Sequence, residues 1–261
     1  MLSKLFKYDF KWVTKVTYIY VIILVAISIL LKIVESVEQS FILVILDKAL
    51  VSMFISCIVS ILLTSIMRIW GRFITNFYKD ESYLTHTLPV TKNELFNSKI
   101  LSGICSLLLS VLIIVICFSF VYLNESTLES LKMMWDSLVE TYNYVFALCF
   151  VIGLVLLVIM EIIYIMMCGI LGIILGHRSN NYKMLKSIFI GIGSYGLLSA
   201  MSLGIIVIVS KIINYDIIGN GFPSINYLIS IGGLGLFIYL TYNIIYYLIA
   251  KKVFNKGVNV E

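Results

Sequence analysis

The stretch Tyr78-Lys-Asp-Glu-Ser-Tyr-Leu-Thr-His-Thr-Leu-Pro-Val-Thr-Lys-Asn-Glu-Leu-Phe-Asn-Ser-Lys99 is a polar interruption between two long apolar runs. Pro89 is one of only 2 prolines in the chain. Its ring disfavours helix at Leu88, so the backbone turns here. A helix start follows, with Thr91 placed as cap, Glu94 at the third helical position, and Val90 and Leu95 able to close a hydrophobic staple. Ahead of the turn, Phe73, Phe77, Tyr78, Glu81 and Leu84 recur at helical spacing and predict a short helix along a membrane surface. The segment reads as helix, proline turn, capped helix. An ordinary ordered loop is the plainer alternative.

Working outward, the composition fixes the class. Hydrophobic residues make up 61% of the chain and charged residues 13%, with a mean hydropathy of +1.06. A soluble domain is excluded by these values. Six runs can each cross a hydrocarbon core of about 30 Å. They lie at about 13–31, 49–67, 100–123, 145–175, 187–210 and 225–250. The expected fold is an all-α polytopic membrane protein, one transmembrane domain over 1–261. Residues 1–12 are expected to form an amphipathic interfacial helix, with Leu2, Leu5, Phe6, Phe10 and Val13 on one face and Lys4, Lys7, Lys11 and Lys15 on another. Trp12 falls at interface depth. No small-residue cleavage site follows the first run, so it is expected to remain as a span.

Fifteen of the 19 Lys and Arg residues fall on one side of this arrangement, in the N-terminus, the 68–99 segment, the 178–186 segment and the C-terminal tail. Lys32, Lys48, Lys132 and Lys211 fall on the other, among Glu35, Glu38, Glu125, Glu129, Asp136 and Glu140. The positive-inside bias places both termini in the cytoplasm. The net charge of +5 is thereby a topology signal, and nucleic acid is not an expected partner.

Glu161 is the only formal charge deep inside a run. A charged group at mid-membrane costs about 2.5–3.5 kcal/mol on insertion scales, so it faces protein or a water-filled path. It is either a contact on a translocation pathway or a hydrogen-bonded link between helices. Gly172 and Gly176 form a small-xxx-small pair for close helix contact. Gly191-Ile-Gly-Ser-Tyr-Gly196 fits the dinucleotide pattern G-x-G-x-x-G, but it follows no strand and lies within an apolar run. Ser126 and Glu129 form a second capping-box pattern ahead of an outer helix carrying Leu128, Leu131, Trp135 and Leu138 on one face. That helix is either a lid or a surface-packed connector. Gly219-Asn-Gly-Phe-Pro223 reads as an outer turn.

Sets of catalytic residues are mostly missing. The 2 histidines, His86 and His177, lie in different polar loops, and all 5 cysteines fall within spans. The sequence has no H-E-x-x-H, no G-x-S-x-G and no phosphate loop. The chain is expected to be no enzyme, with no catalytic residue, cofactor or metal of its own.

The stretch from Asp80 to Thr91, with Leu95 and Ser98-Lys99, resembles the cytoplasmic loop of ABC-2 type permeases of Gram-positive bacteria, and the six-span topology is similar. The resemblance implies a permease of the bacterial cytoplasmic membrane that pairs with a second permease, identical or paralogous. It also implies two copies of a cytoplasmic ATPase, which would carry ATP and Mg. Its loop would dock on the ATPase through Asp80, Glu81, Tyr83, Leu84, Leu88 and Pro89, with His177 and Arg178 in a smaller second contact. Amphipathic peptides or hydrophobic toxins and antimicrobials are the implied cargo, moved by alternating access. The larger outer segment lies between spans three and four, unlike relatives that carry outer helices between spans five and six. The alternative from another class is a non-transporting scaffold or sensor that binds a cytoplasmic partner through residues 78–99.

Overall fold

The computed structural model describes residues 2–37, 40–79, 81–179, 181–212 and 225–257. All regular structure among them is helical: α1 (Leu2–Glu35), α2 (Phe41–Tyr78), α3 (Ser82–Thr87), α4 (Lys92–Tyr122), α5 (Glu125–Tyr142), α6 (Tyr144–Gly176), α7 (Lys183–Ile212) and α8 (Ile225–Asn255). Six of them, α1, α2, α4, α6, α7 and α8, are long and apolar enough to cross a membrane. The protein is a multi-pass membrane protein of helices. Each of the six exceeds the roughly 20 residues that an apolar core of about 30 Å requires, so their ends extend beyond it.

Two expectations change in detail. Leu2–Glu35 is one unbroken helix, so the segment expected as a separate interfacial helix, 1–12, continues directly into the first span. No proline or glycine in it would stop the propagation of backbone hydrogen bonds. Likewise, Phe73 and Phe77 belong to the end of α2, and the helix before the proline turn is only Ser82–Thr87. The outer turn expected at 219–223 lies outside the described residues.

The chain forms two compact units. The first comprises residues 1–75 and 88–133; the second comprises 76–87 and 134–261. In the first unit α1 packs along α4. Leu24, Leu31, Phe54, Ile61, Cys117 and Val121 fill its apolar core. The Ser65 and Ser110 hydroxyls meet at 3.0 Å between α2 and α4. In the second unit α6 packs against both α7 and α8. The crossing of α6 and α7 depends on missing side chains: a Cβ on Gly172 would lie 2.5 Å from the Ser187 carbonyl oxygen and 2.8 Å from the Gly191 Cα. Gly191 therefore serves helix contact.

The outer helix also starts differently from the pattern in its sequence. α5 begins at Glu125, where the Asn124 N–H donates to Thr127 Oγ1 at 2.9 Å and the Leu128 N–H donates to the Asn124 carbonyl at 2.9 Å. Asn124 and Thr127 hold the helix start, and Ser126 is already inside it. α5 buries none of its residues.

Candidate functional site

The proline turn and its flanks form the first candidate. Thr91 caps α4: its hydroxyl accepts from the Glu94 N–H at 3.3 Å, and the Glu94 carboxylate accepts from the Thr91 N–H at 3.0 Å. This reciprocal pair satisfies two helix-end donors and fixes where α4 begins. Leu95, Phe96, Ser98 and Lys99 are buried immediately beyond it.

Before the turn, α3 is pinned by local hydrogen bonds. The Ser82 N–H donates to the Lys79 carbonyl at 2.7 Å, and the Thr85 hydroxyl donates to the Glu81 carbonyl at 2.8 Å. Ser82 and Thr85 are buried, whereas Tyr83 and Leu84 are 77% and 68% exposed. Thr87 is exposed as well, so α3 buries two small hydroxyl residues and leaves its tyrosine and leucine outside. Glu81 is exposed just before α3, and Leu88 and Pro89 are exposed in the chain that follows it. Asp80 lies outside the described residues.

His177 and Arg178 sit at the end of α6 and separate in behaviour. His177 is 4% exposed. Its ring lies 4.3 Å from that of Tyr78, and its Nδ1 lies 2.9 Å from the Ile173 carbonyl and 3.3 Å from Ser187 Oγ. It ties the ends of α2, α6 and α7 together. Arg178 is exposed. The surface offered there is that of Arg178, with His177 beneath it.

No family model, curated protein or solved structure matches this chain. The sites therefore rest on their own geometry.

The second candidate surrounds Glu161. Its Oε1 accepts from the Tyr195 hydroxyl on α7 at 2.8 Å, while Oε2 is buried without a well-aligned donor. One turn further along α6, Tyr164 is 1% exposed. Its ring lies 5.5–6.1 Å from those of Tyr195, Tyr239, Tyr242 and Tyr246. The Tyr246 hydroxyl donates to the Ser194 carbonyl at 3.1 Å, and Asn243 Nδ2 donates to the Met160 carbonyl at 3.3 Å. Polar groups from α6, α7 and α8 thus meet around one packed tyrosine. Tyr164 fills the centre, so the arrangement links helices first.

A third cluster went unread in the sequence. Asp9, on α1, is 3% exposed. Ser98 Oγ donates to its Oδ2 at 2.8 Å, Lys99 Nζ lies against its Oδ1, and Arg72 Nε approaches the same oxygen at 3.4 Å. Nearby, the Arg68 guanidinium stacks 3.7 Å from the Trp12 ring centroid and donates to the Trp12 carbonyl at 2.7 Å. The one acid among Lys4, Lys7, Lys11 and Lys15 was the available signal.

Proposed function

We propose that the chain is the permease subunit of an ATP-driven ABC exporter of a bacterial cytoplasmic membrane. In this reading both termini are cytoplasmic and ATP and Mg are bound by a separate ATPase. The observation that carries it is the pair Tyr83 and Leu84, 77% and 68% exposed on a six-residue helix that buries Ser82 and Thr85. Exposed aromatic and aliphatic side chains on a pinned element suit anchors for a partner groove, where a few residues carry most of the binding energy. Asp80 and Glu81 would steer the approach to basic groups on that partner. Leu88 and Pro89 extend the docking surface, and Arg178 adds a second contact, positioned by buried His177.

A permease of this kind works as a pair, with itself or with a paralogue, on two ATPase copies. Its apolar runs are rich in aromatic and glycine residues and carry Glu161 as their one deep charge, which suits amphipathic peptides or hydrophobic antimicrobials as cargo. Glu161 belongs to the helix-linking network and is the one acidic group that a moving cargo would pass.

The test is isolation of the tagged full chain from membranes of its own cell, followed by an ATP hydrolysis assay. The reading predicts a co-purifying subunit with a phosphate loop and an activity that rises with cargo. A chain that purifies without one, from membranes where that ATPase is present, contradicts it.

A further inference from the structure

None of the 18 residues of α5 is buried, yet its apolar side chains keep to one side. Leu128, Leu131, Met134, Trp135, Leu138 and Tyr142 recur at steps of three and four and share a face. Leu128, Leu131 and Met134 are exposed, and the other three are half-buried. The opposite face carries Glu125, Glu129, Asp136 and Glu140, all exposed, with Met133 as the apolar residue among them. Lys132 sits at the border of the two faces. Such a helix needs an apolar cover that its own chain does not supply.

The connections on either side say what that cover is. Only Leu123 and Asn124 join α4 to α5, and only Asn143 joins α5 to α6. At about 3.6 Å of reach per residue these links span about 11 Å and about 7 Å, whereas α5 is about 27 Å long. Both neighbours are long enough and apolar enough to cross the membrane. They also stay apolar up to the joints: Phe118 and Phe120 on α4, and Tyr144 and Val145 on α6, are all exposed. Each end of α5 is thus tied to a span where that span leaves the hydrocarbon. Standing upright, the helix would part its ends in height by more than the links reach, so it lies along the bilayer surface. Trp135 stacks edge-on against Tyr144 with ring centroids 5.8 Å apart, so the apolar face meets the first residue of a span.

We infer that α5 binds the bilayer surface, with its apolar face in the boundary between headgroups and acyl chains and its acidic face in water. Trp135 and Tyr142 suit that depth, each an apolar body with a polar tip. Lys132 can lay its aliphatic stem along the surface and reach a lipid phosphate. Interfacial helices commonly carry lysine and arginine on the polar face and gain from anionic lipid. α5 sets four carboxylates against one ammonium group, so its hold is hydrophobic and does not select anionic headgroups. The helix is then neither a lid nor a connector packed on protein. This holds for either orientation of the chain and without an ATPase, so it stands or falls apart from the permease reading.

The experiment measures spin-label depth on the full chain in phosphatidylcholine vesicles. Single cysteines replace Leu131, Leu138, Glu129 and Asp136 in turn, in a background without the 5 native cysteines. None of these four positions is buried, so labelling removes no core packing. Collision with oxygen, which concentrates in lipid, is compared with collision with a water-soluble nickel chelate. Labels at Leu131 and Leu138 are expected about 5–10 Å below the headgroups. Their oxygen-to-nickel ratio should exceed that of labels at Glu129 and Asp136 severalfold, and adding phosphatidylglycerol should not deepen them. Leu131→Lys with Leu138→Lys should bring a label at Leu128 out to the nickel reagent. Equal nickel access at all four positions would mean that α5 stands in water. Exclusion of both reagents at Leu131 and Leu138 would mean that a second copy or another protein covers the face. Insertion only with phosphatidylglycerol present would mean that headgroup charge holds the helix. Each of these three results overturns the inference.

Discussion

The Lys99 ammonium group and the Asp9 carboxylate, ninety positions apart in the chain, form a buried ion pair between α4 and α1. Ser98 and Arg72 add further donors to the same carboxylate, so three helices converge on one acid. Breaking such a pair by removing one partner strands the other charge and costs about 3–5 kcal/mol. Asp9→Ala should therefore lower the yield of folded protein and its thermal unfolding temperature. Adding Lys99→Met should recover part of the loss, because the second buried charge then goes too. Thermal unfolding followed by size-exclusion chromatography reads both.

The α6–α7 crossing makes a sharper packing prediction. A Cβ on Gly176 would lie 2.5 Å from the Ser187 backbone nitrogen, and one on Gly172 would meet backbone atoms of Ser187 and Gly191. Backbone cannot rotate aside as a side chain can, and overpacking costs about 1–3 kcal/mol or more. Gly172→Ala should destabilise the chain, while Gly193→Ala, with open space at its Cβ, should be nearly neutral. Equal stability of the two variants would refute the close crossing.

Glu161→Gln retains an oxygen for the Tyr195 hydroxyl, so assembly and, on the permease reading, transport are expected to persist. Glu161→Leu strands that hydroxyl, and interhelical hydrogen bonds in membranes are worth about 0.6–1.7 kcal/mol. Stability should fall by that order. Transport measured in proteoliposomes separates the roles: loss of transport in the Gln variant with an intact complex would make the charge itself part of the pathway.

Periodicity and composition made the six long helices readable, because a bilayer demands long apolar runs whatever the tertiary contacts. The Thr91–Glu94 cap was equally legible, since capping is settled within four residues. The Asp9 cluster was not, because Lys99 meets it only through folding across ninety positions. The Ser126–Glu129 pattern misled by two positions: Asn124 with Thr127 offered a competing start, and local motifs do not rank themselves. Around the candidate docking surface, the sequence named Tyr83 and Leu84 but not the burial of Ser82 and Thr85 that turns them outward. It could not distinguish exposed Arg178 from buried His177, adjacent residues at a helix end.

The charge bias predicts the orientation. In a cysteine-free background, a cysteine at Ser130, exposed on α5, should react with an impermeant maleimide added outside cells. A cysteine at Ser179 should react only after the membrane is opened. The reverse pattern would place α3 and its turn outside the cell and remove the basis for an ATPase contact there.

The most direct test of the permease reading is the double variant Tyr83→Ala with Leu84→Ala, purified from membranes alongside the ATPase that the reading requires. Both side chains are largely exposed, so insertion and thermal stability should match the parent chain. Hot-spot truncations cost about 2 kcal/mol or more each. The account predicts that the ATPase no longer co-purifies, or that its hydrolysis no longer responds to cargo. Undiminished co-purification with cargo-responsive hydrolysis would contradict it.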